Sequence, residues 1–220
     1  MTDPSKTSTS IHVRAPKQGR SRQSFERILE ATTDLLRERA YDQITLADIC
    51  QRADVSTGTL YGRVSGKDEL LRAVQVRFLE KIDSQFTIEA ERIASHAHEL
   101  NAVVPAVVAG LGSLLKENAS LLRAFMLRAP YDDAIAAAGR KSAIRNHGKF
   151  IQLLRTCSGE IQHPNPERAI SSSMELIYAT QARFLGLDSV GGMRGETGWQ
   201  ELLVDLSDMV LAFFLFASKR

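Results

Sequence analysis

Residues 45–67, TLADICQRADVSTGTLYGRVSGK, decide how the rest of the chain is read. Leu46, Ile49, Cys50 and Ala53 recur at the one-face spacing of a helix. Thr45 stands ahead of them with Asp48 three residues on, the form of a capping box. Asp54 follows the last periodic residue; Gly is best where a helix ends in left-handed backbone, but Asp tolerates that conformation. Val55 then returns an apolar side chain to the core, and Ser56 has the chemistry to cap a second helix. That helix is expected over Thr57 to about Val64, with Thr57, Thr59, Tyr61 and Arg63 around a Leu60 anchor. Two short helices joined by a tight turn make a helix-turn-helix.

The chemistry of the second helix suits DNA better than a small substrate. A helix entering the major groove leads with its N-terminal residues. Here Thr57 and Gly58 are small enough for the backbone to approach base edges and phosphates. Hydroxyls on Ser56, Thr59 and Tyr61 can bond phosphate oxygens, which sets register without reading sequence. Gly66-Lys67-Asp68-Glu69-Leu70 opens a further helix, whose N-terminus and adjacent Lys67 offer positive charge to another phosphate. The expected DNA contacts are therefore Arg20, Arg22, Thr45, Ser56, Thr57, Gly58, Thr59, Tyr61, Arg63 and Lys67. The same hydroxyls would serve as caps in a protein that never meets DNA. Cap, turn, Gly and Lys all occurring in register favours DNA.

The stretch resembles the TetR family of bacterial transcriptional regulators. The resemblance is carried by Phe25, Ile28, Leu29, Ala31, Thr45-Leu46, Ile49, Ala53 and Val55-Ser56, then by Gly58-Thr59-Leu60-Tyr61 and Lys67-Asp68-Glu69-Leu70-Leu71. It covers roughly residues 20–75. Cys50 stands where the family usually has Ala, Asp54 where it has Gly, and Gly62-Arg63-Val64 where a basic or aromatic residue, Tyr or His, and Phe are commoner. Gly62 inside a helix would cost about 1 kcal/mol relative to Ala. The resemblance implies an all-α protein of about nine helices: an N-terminal three-helix domain that binds DNA, and a larger helical domain that binds a ligand and dimerises. The boundaries expected are 1–19 for a disordered basic arm, 20–66 for the helix-turn-helix domain and 67–220 for the remainder.

Composition agrees without deciding. The 220 residues are 44% apolar, enough for a real core, and the formal net charge is only +2. Its distribution says more: between Ile11 and Arg27 stand Arg14, Lys17, Arg20, Arg22 and Arg27 against Glu26 alone, beside the helix-turn-helix. Cys50 and Cys157 make no disulfide framework, and Cys50 reads as a small buried hydrophobe. The N-terminus lacks the apolar stretch of a secretory signal. The longest apolar run, Met209 to Ala217, is too short to cross a bilayer as a helix. A cytoplasmic protein without a membrane partner is expected.

Beyond the motif, every recognisable segment is helical. The first helix is expected from about Ser21 to Arg39. A long connector runs from Gly66 to about Ala90, with Leu70, Leu71, Val74, Phe78 and Ile82 in helical spacing. Further helices are expected over Leu100–Leu115, Ala119–Leu127, Asp132–Arg155, Glu167–Leu187 and Thr197–Ala217, with a glycine-rich loop, Asp188 to Gly198, before the last. That last helix is apolar nearly all round near its end, so it must be covered on more than one side. Each such side chain is worth roughly 1.5–3 kcal/mol when buried. A homodimer resting on Ile170, Met174, Ile177, Phe184, Leu203, Leu206, Val210, Phe213 and Phe214 would cover them, and a symmetric four-helix bundle is the family's arrangement. Dimerisation also places two recognition helices about 34 Å apart, matching successive major grooves of a palindromic operator.

The resemblance further implies a small-molecule pocket, for which the sequence offers an apolar lining of Val103, Val107, Leu111, Phe125, Met126, Phe150 and Leu154, with Tyr178 as a polar contact. His96 and His98 are two apart and point to different helix faces, and neither His147 nor His163 has a ligand partner at useful spacing, so no metal is expected. No cofactor motif, nucleophile elbow or phosphate-cradling glycine pattern is present, and no catalytic residue is nominated. The expectation is a ligand-responsive DNA-binding regulator, a repressor released from its operator by a small apolar or amphipathic effector. Activation, or a ligand-binding scaffold with a vestigial helix-turn-helix, fits the same residues.

Overall fold

A computed structural model describes residues 17–187 and 198–217. Among them there are nine α-helices and no strand: α1 (Lys17–Glu38), α2 (Leu46–Ala53), α3 (Thr57–Tyr61), α4 (Lys67–His96), α5 (Leu100–Glu117), α6 (Ala119–Arg128), α7 (Asp133–Thr156), α8 (Pro166–Phe184) and α9 (Trp199–Phe214). Short 3-10 turns stand at Tyr41–Gln43, Ala129–Tyr131 and Ser158–Glu160. Most of the expected arm, residues 1–16, lies outside the described residues, as does most of the glycine-rich loop. Residues 17–19, expected in the arm, form the start of α1 instead.

The first three helices form a compact head. Ile28, Leu35 and Leu36 of α1 pack with Ile49, Cys50 and Ala53 of α2 and with Leu60 of α3, all buried. Ile28, Ile49 and Leu60 are fully so. Thr45 closes the capping box in both directions: its hydroxyl accepts from the Asp48 amide at 3.1 Å, and the Asp48 carboxylate accepts from the Thr45 amide at 2.8 Å. Asp54 ends α2 at φ 51°, ψ 57°, the left-handed conformation that the turn demands.

Leaving the head, α4 is longer than the sequence suggested and runs thirty residues to His96. It carries Leu70, Leu71, Val74, Phe78, Ile82, Phe86 and Ile93 inward, and its most extensive neighbour is α7. Polar ties cross that seam. Asp132 caps α7 by accepting from the amides of Ala134 and Ile135, and its other oxygen takes Arg72 Nε at 2.9 Å. Buried Gln75 donates to the Ile135 carbonyl at 3.0 Å. Further along, Asp83 receives Ser142, Asn146 and Arg145 of α7, while Lys149 donates to the Asp83 carbonyl and the Thr87 hydroxyl.

By length and apolarity α5 could cross a membrane, a property the sequence reading assigned to no segment. Here it is the central core helix: Val104, Val107, Val108 and Leu111 are wholly buried. Pro105 sits within it without ending it. Its close approach to neighbours depends on missing side chains. A Cβ on Gly110 would come within 2.6 Å of the Glu89 carboxylate on α4, and one on Gly112 within 3.0 Å of both Leu203 and Trp199 on α9.

Candidate nucleic-acid interface

The interface is built around α3, which is shorter than expected. It ends at Tyr61 rather than near Val64, because Gly62 caps it and the amides of Arg63 and Val64 turn back to the Leu60 carbonyl. Val64 is buried under the turn, and Arg63 is left outside the helix and exposed. Leu60 pins the helix to the head, so the opposite face is free. Ser56, Thr57, Gly58, Thr59 and Tyr61 are all exposed, Tyr61 at 55% despite its ring.

Ser56 caps the helix, its Oγ accepting from the Thr59 amide at 3.2 Å and lying 2.9 Å from the Thr59 hydroxyl. Those two hydroxyls satisfy each other, so a phosphate would share rather than capture them. The Thr45 hydroxyl is likewise tied to Asp48. Thr57 and Tyr61 carry hydroxyls with no partner among the described residues. A Cβ on Gly58 would meet nothing nearer than Ser56 Oγ at 4.0 Å, so the space above the backbone is open to an incoming group.

Charge on the head is mostly internal. Arg27 faces Asp54, Arg39 faces Asp48, and Arg52 holds Glu38 through two bonds of 2.8 and 2.9 Å. Arg77 of α4 reaches back to Glu26 and Glu30. Exposed Arg22 and Arg63 have no carboxylate partner among the described residues, which leaves them available to an anion. The Arg20 side chain lies outside what is described. Lys67 opens α4 with its ammonium 4.0 Å from the centre of the Tyr41 ring, and burial holds its pKa below the ordinary lysine value. Tyr41 in turn donates to Asp68, which also takes Arg128 of α6 at 3.0 Å; burial and then Asp68 push the phenol pKa up. This cluster joins head, α4 and α6. Nothing in the sequence pattern pointed to it, because its members lie 27 and 60 residues apart.

A family model described as "Bacterial regulatory proteins, tetR family" matches residues 28–74, the core of this head. Over 60 residues the chain is 38% identical to the HTH-type transcriptional repressor KstR of Rhodococcus jostii, a match spanning 27% of this chain and 28% of that protein. Among solved structures, a TetR transcription regulator from Haloarcula marismortui superposes with a TM-score of 0.63 at 20% identity, over 88% of this chain and 97% of that one. The fatty acid degradation regulator FadR from Bacillus halodurans gives 0.60 at 16% identity, over 90% and 96%. The TetR-family match thus lies in the head, and the likeness in fold extends over most of the chain.

Within this fold, side chains of α4, α6 and α7, with Leu115 of α5 and Tyr178 of α8, line a partly open cavity of about 270 Å³. Of the residues the sequence nominated for a pocket, Phe125, Met126 and Tyr178 line it. Val103, Val107, Leu111, Phe150 and Leu154 do not; they are buried in the core behind it. Sequence periodicity identifies a buried face but not which part of it borders empty space. The inner face of α4 supplies what was missed: Phe78, Ile82 and Phe86, with Ile135, Arg140 and His147 opposite on α7. His147 packs on Tyr178 with ring centres 4.7 Å apart; burial lowers the imidazole pKa and raises that of the phenol.

The last two helices also differ from the expectation. Ile170, Met174, Ile177, Leu203, Leu206, Val210 and Phe214, expected at a dimer interface, are all buried within the single chain. Phe184 packs on Trp199 at 5.2 Å, and Phe213 lies partly covered by His163 at 4.8 Å. Both faces of α9 are apolar, and α5 and α8 take the one marked by residues 199, 203, 206, 210 and 214. Turned outward are Leu176 on α8, Val204 and Met209 on α9, and Leu215 and Phe216 just past its end.

Proposed function

We propose that the protein is a dimeric, cytoplasmic transcriptional repressor that leaves its operator when a small effector enters the α4–α7 cavity. The observation that carries this reading is one helix serving two tasks. Its first residue, Lys67, follows α3 after the short turn at residues 62–66, and three turns later Phe78, Ile82 and Phe86 wall the cavity. Effector binding that separates α4 from α7 shifts the head, and by linkage operator DNA weakens effector binding by the same factor. Ser56, Thr57, Gly58, Thr59 and Tyr61 contact groove and phosphate, with Arg22, Arg63 and Lys67 adding charge. The outward side chains Leu176, Val204, Met209, Leu215 and Phe216 meet their counterparts in the partner and space the two heads for successive grooves.

Sequencing genomic fragments retained by the purified protein tests the reading: paired half-sites about one helical turn apart are expected, and fragments without a shared motif would overturn it. On the recovered site, Lys67→Ala should weaken specific and random DNA alike and reduce the salt slope by about 1. Thr57 substitutions should instead change the preferred sequence.

A further inference from the structure

The cavity just assigned to an effector is uneven in its chemistry, and the unevenness identifies a class of ligand. Most of its wall is hydrocarbon and aromatic. Its polar members divide into two kinds. Gln75, Ser142 and Asn146 are tied to Ile135 and Asp83 and hold α4 against α7. Arg140, His147 and Tyr178 make no hydrogen bond or ion pair with any described residue. Arg140 is the cation among these. Burial favours neutral His147, and Tyr178 keeps its proton. No carboxylate stands within one helical turn of Arg140 on α7, where the neighbours three and four residues away are Ala136, Ala137, Ala143 and Ile144. Arg145, five residues on, is held by Asp83. Arg140 is exposed and borders the apolar cavity without a counter-ion among the described residues, and a guanidinium presents a planar fork of donors that matches a carboxylate.

We propose that the cavity takes a medium-chain monocarboxylate, with the carboxylate at Arg140 and the hydrocarbon tail among Phe78, Ile82, Phe86 and Phe125. The size fits: about 270 Å³ is room for about nine waters at roughly 30 Å³ each, or a chain of similar atom count. His147 lies two turns from Arg140 along α7, about 10 Å by helical rise, so a straight chain anchored at the rim spans the cavity. This proposal rests on the reading of the cavity as an effector site.

Calorimetric titration of the full chain with octanoate, 1-octanol and octylamine tests it. Octanoate should bind about ten- to a hundredfold tighter than the alcohol, the range of one charge-assisted hydrogen-bonded pair, and the amine more weakly still. Arg140→Gln should remove that preference while leaving the alcohol's affinity unchanged. Gly139→Leu, on the cavity wall where a Cβ has only Gln75 Nε2 at 3.7 Å for company, should abolish binding of all three. Equal affinity for octanoate and octanol, an unchanged preference in Arg140→Gln, or no binding of octanoate would each overturn the proposal. Operator release is measured separately by anisotropy. Octanoate that binds without releasing DNA sinks the repressor reading and leaves the ligand class standing; operator binding without any carboxylate preference does the reverse.

Discussion

In the head, the hydrogen bonds that shape the helix-turn-helix join residues three or four apart: Thr45 with Asp48, Ser56 with Thr59, Ser65 with Glu69. In the larger bundle the polar ties span about sixty residues: Arg72 to Asp132, Gln75 to Ile135, Asp83 to Ser142. The turn and the helix starts of the head are thus specified locally, beside the longer-range pairs Arg52–Glu38 and Arg77–Glu26. The bundle uses polar groups to fix how two distant helices sit against each other. Damage should therefore stay local in the first region and spread in the second.

The largest effect should come from Phe150→Ala. Phe150 is fully buried and meets Phe86 edge-on at 5.6 Å, so removing it leaves a void costing about 3–5 kcal/mol in urea unfolding. A loss under about 1 kcal/mol would break the claim that damage at the α4–α7 seam spreads. Next is Asp83→Asn, which weakens charge-assisted bonds to Arg145, Ser142 and Asn146 and should cost about 1.5–3 kcal/mol at pH 7. Burial alone would raise the Asp83 pKa, but those three bonds and the Arg145 charge bring it below the ordinary value. A depressed native pKa stabilises above the unfolded value, about 3.9, and that contribution fades as pH falls through the native value. The deficit of the Asn variant should accordingly shrink between pH 5 and pH 2, the range to sample.

Smaller effects belong to the head. Ser56→Ala removes the α3 cap and should cost about 1 kcal/mol of stability, with weaker binding to every DNA sequence. Stability that drops while DNA affinity holds would show that α3 needs no cap to be read. Asp54→Gly should be the mildest, a gain of under about 1 kcal/mol from relieving left-handed strain, partly offset by the flexibility of Gly in the unfolded chain.

That contrast also explains what was legible in the sequence. Capping box, left-handed turn and Ser cap are local statements, and the structure has each at the residues expected. The early end of α3 escaped because Gly62 reads equally as a weak helix residue and as a cap, and only the chain's return through buried Val64 decides between them. Partners sixty residues apart leave no periodic trace, so the Asp83 cluster and the Tyr41–Asp68–Arg128 junction were invisible. Helix α9 failed differently: its apolar residues were recognised, but their division between an inward and an outward face depends on where α5 lies. The pocket suffered the same fate, since Phe150 and Phe86 are equally apolar in sequence while only Phe86 borders the cavity.

An unbroken α4 makes the molecule a lever. Ile82 sits at the cavity and Lys67 fifteen residues earlier, about 22 Å away at 1.5 Å per residue. A tilt of about 5° pivoting at Ile82 would carry Lys67 sideways by about 2 Å. Hydrogen bonds tolerate only about 0.5 Å of variation in length. A guest no bulkier than a few methylenes, wedged at the fulcrum, would thus be enough to pull every tip contact out of range at once.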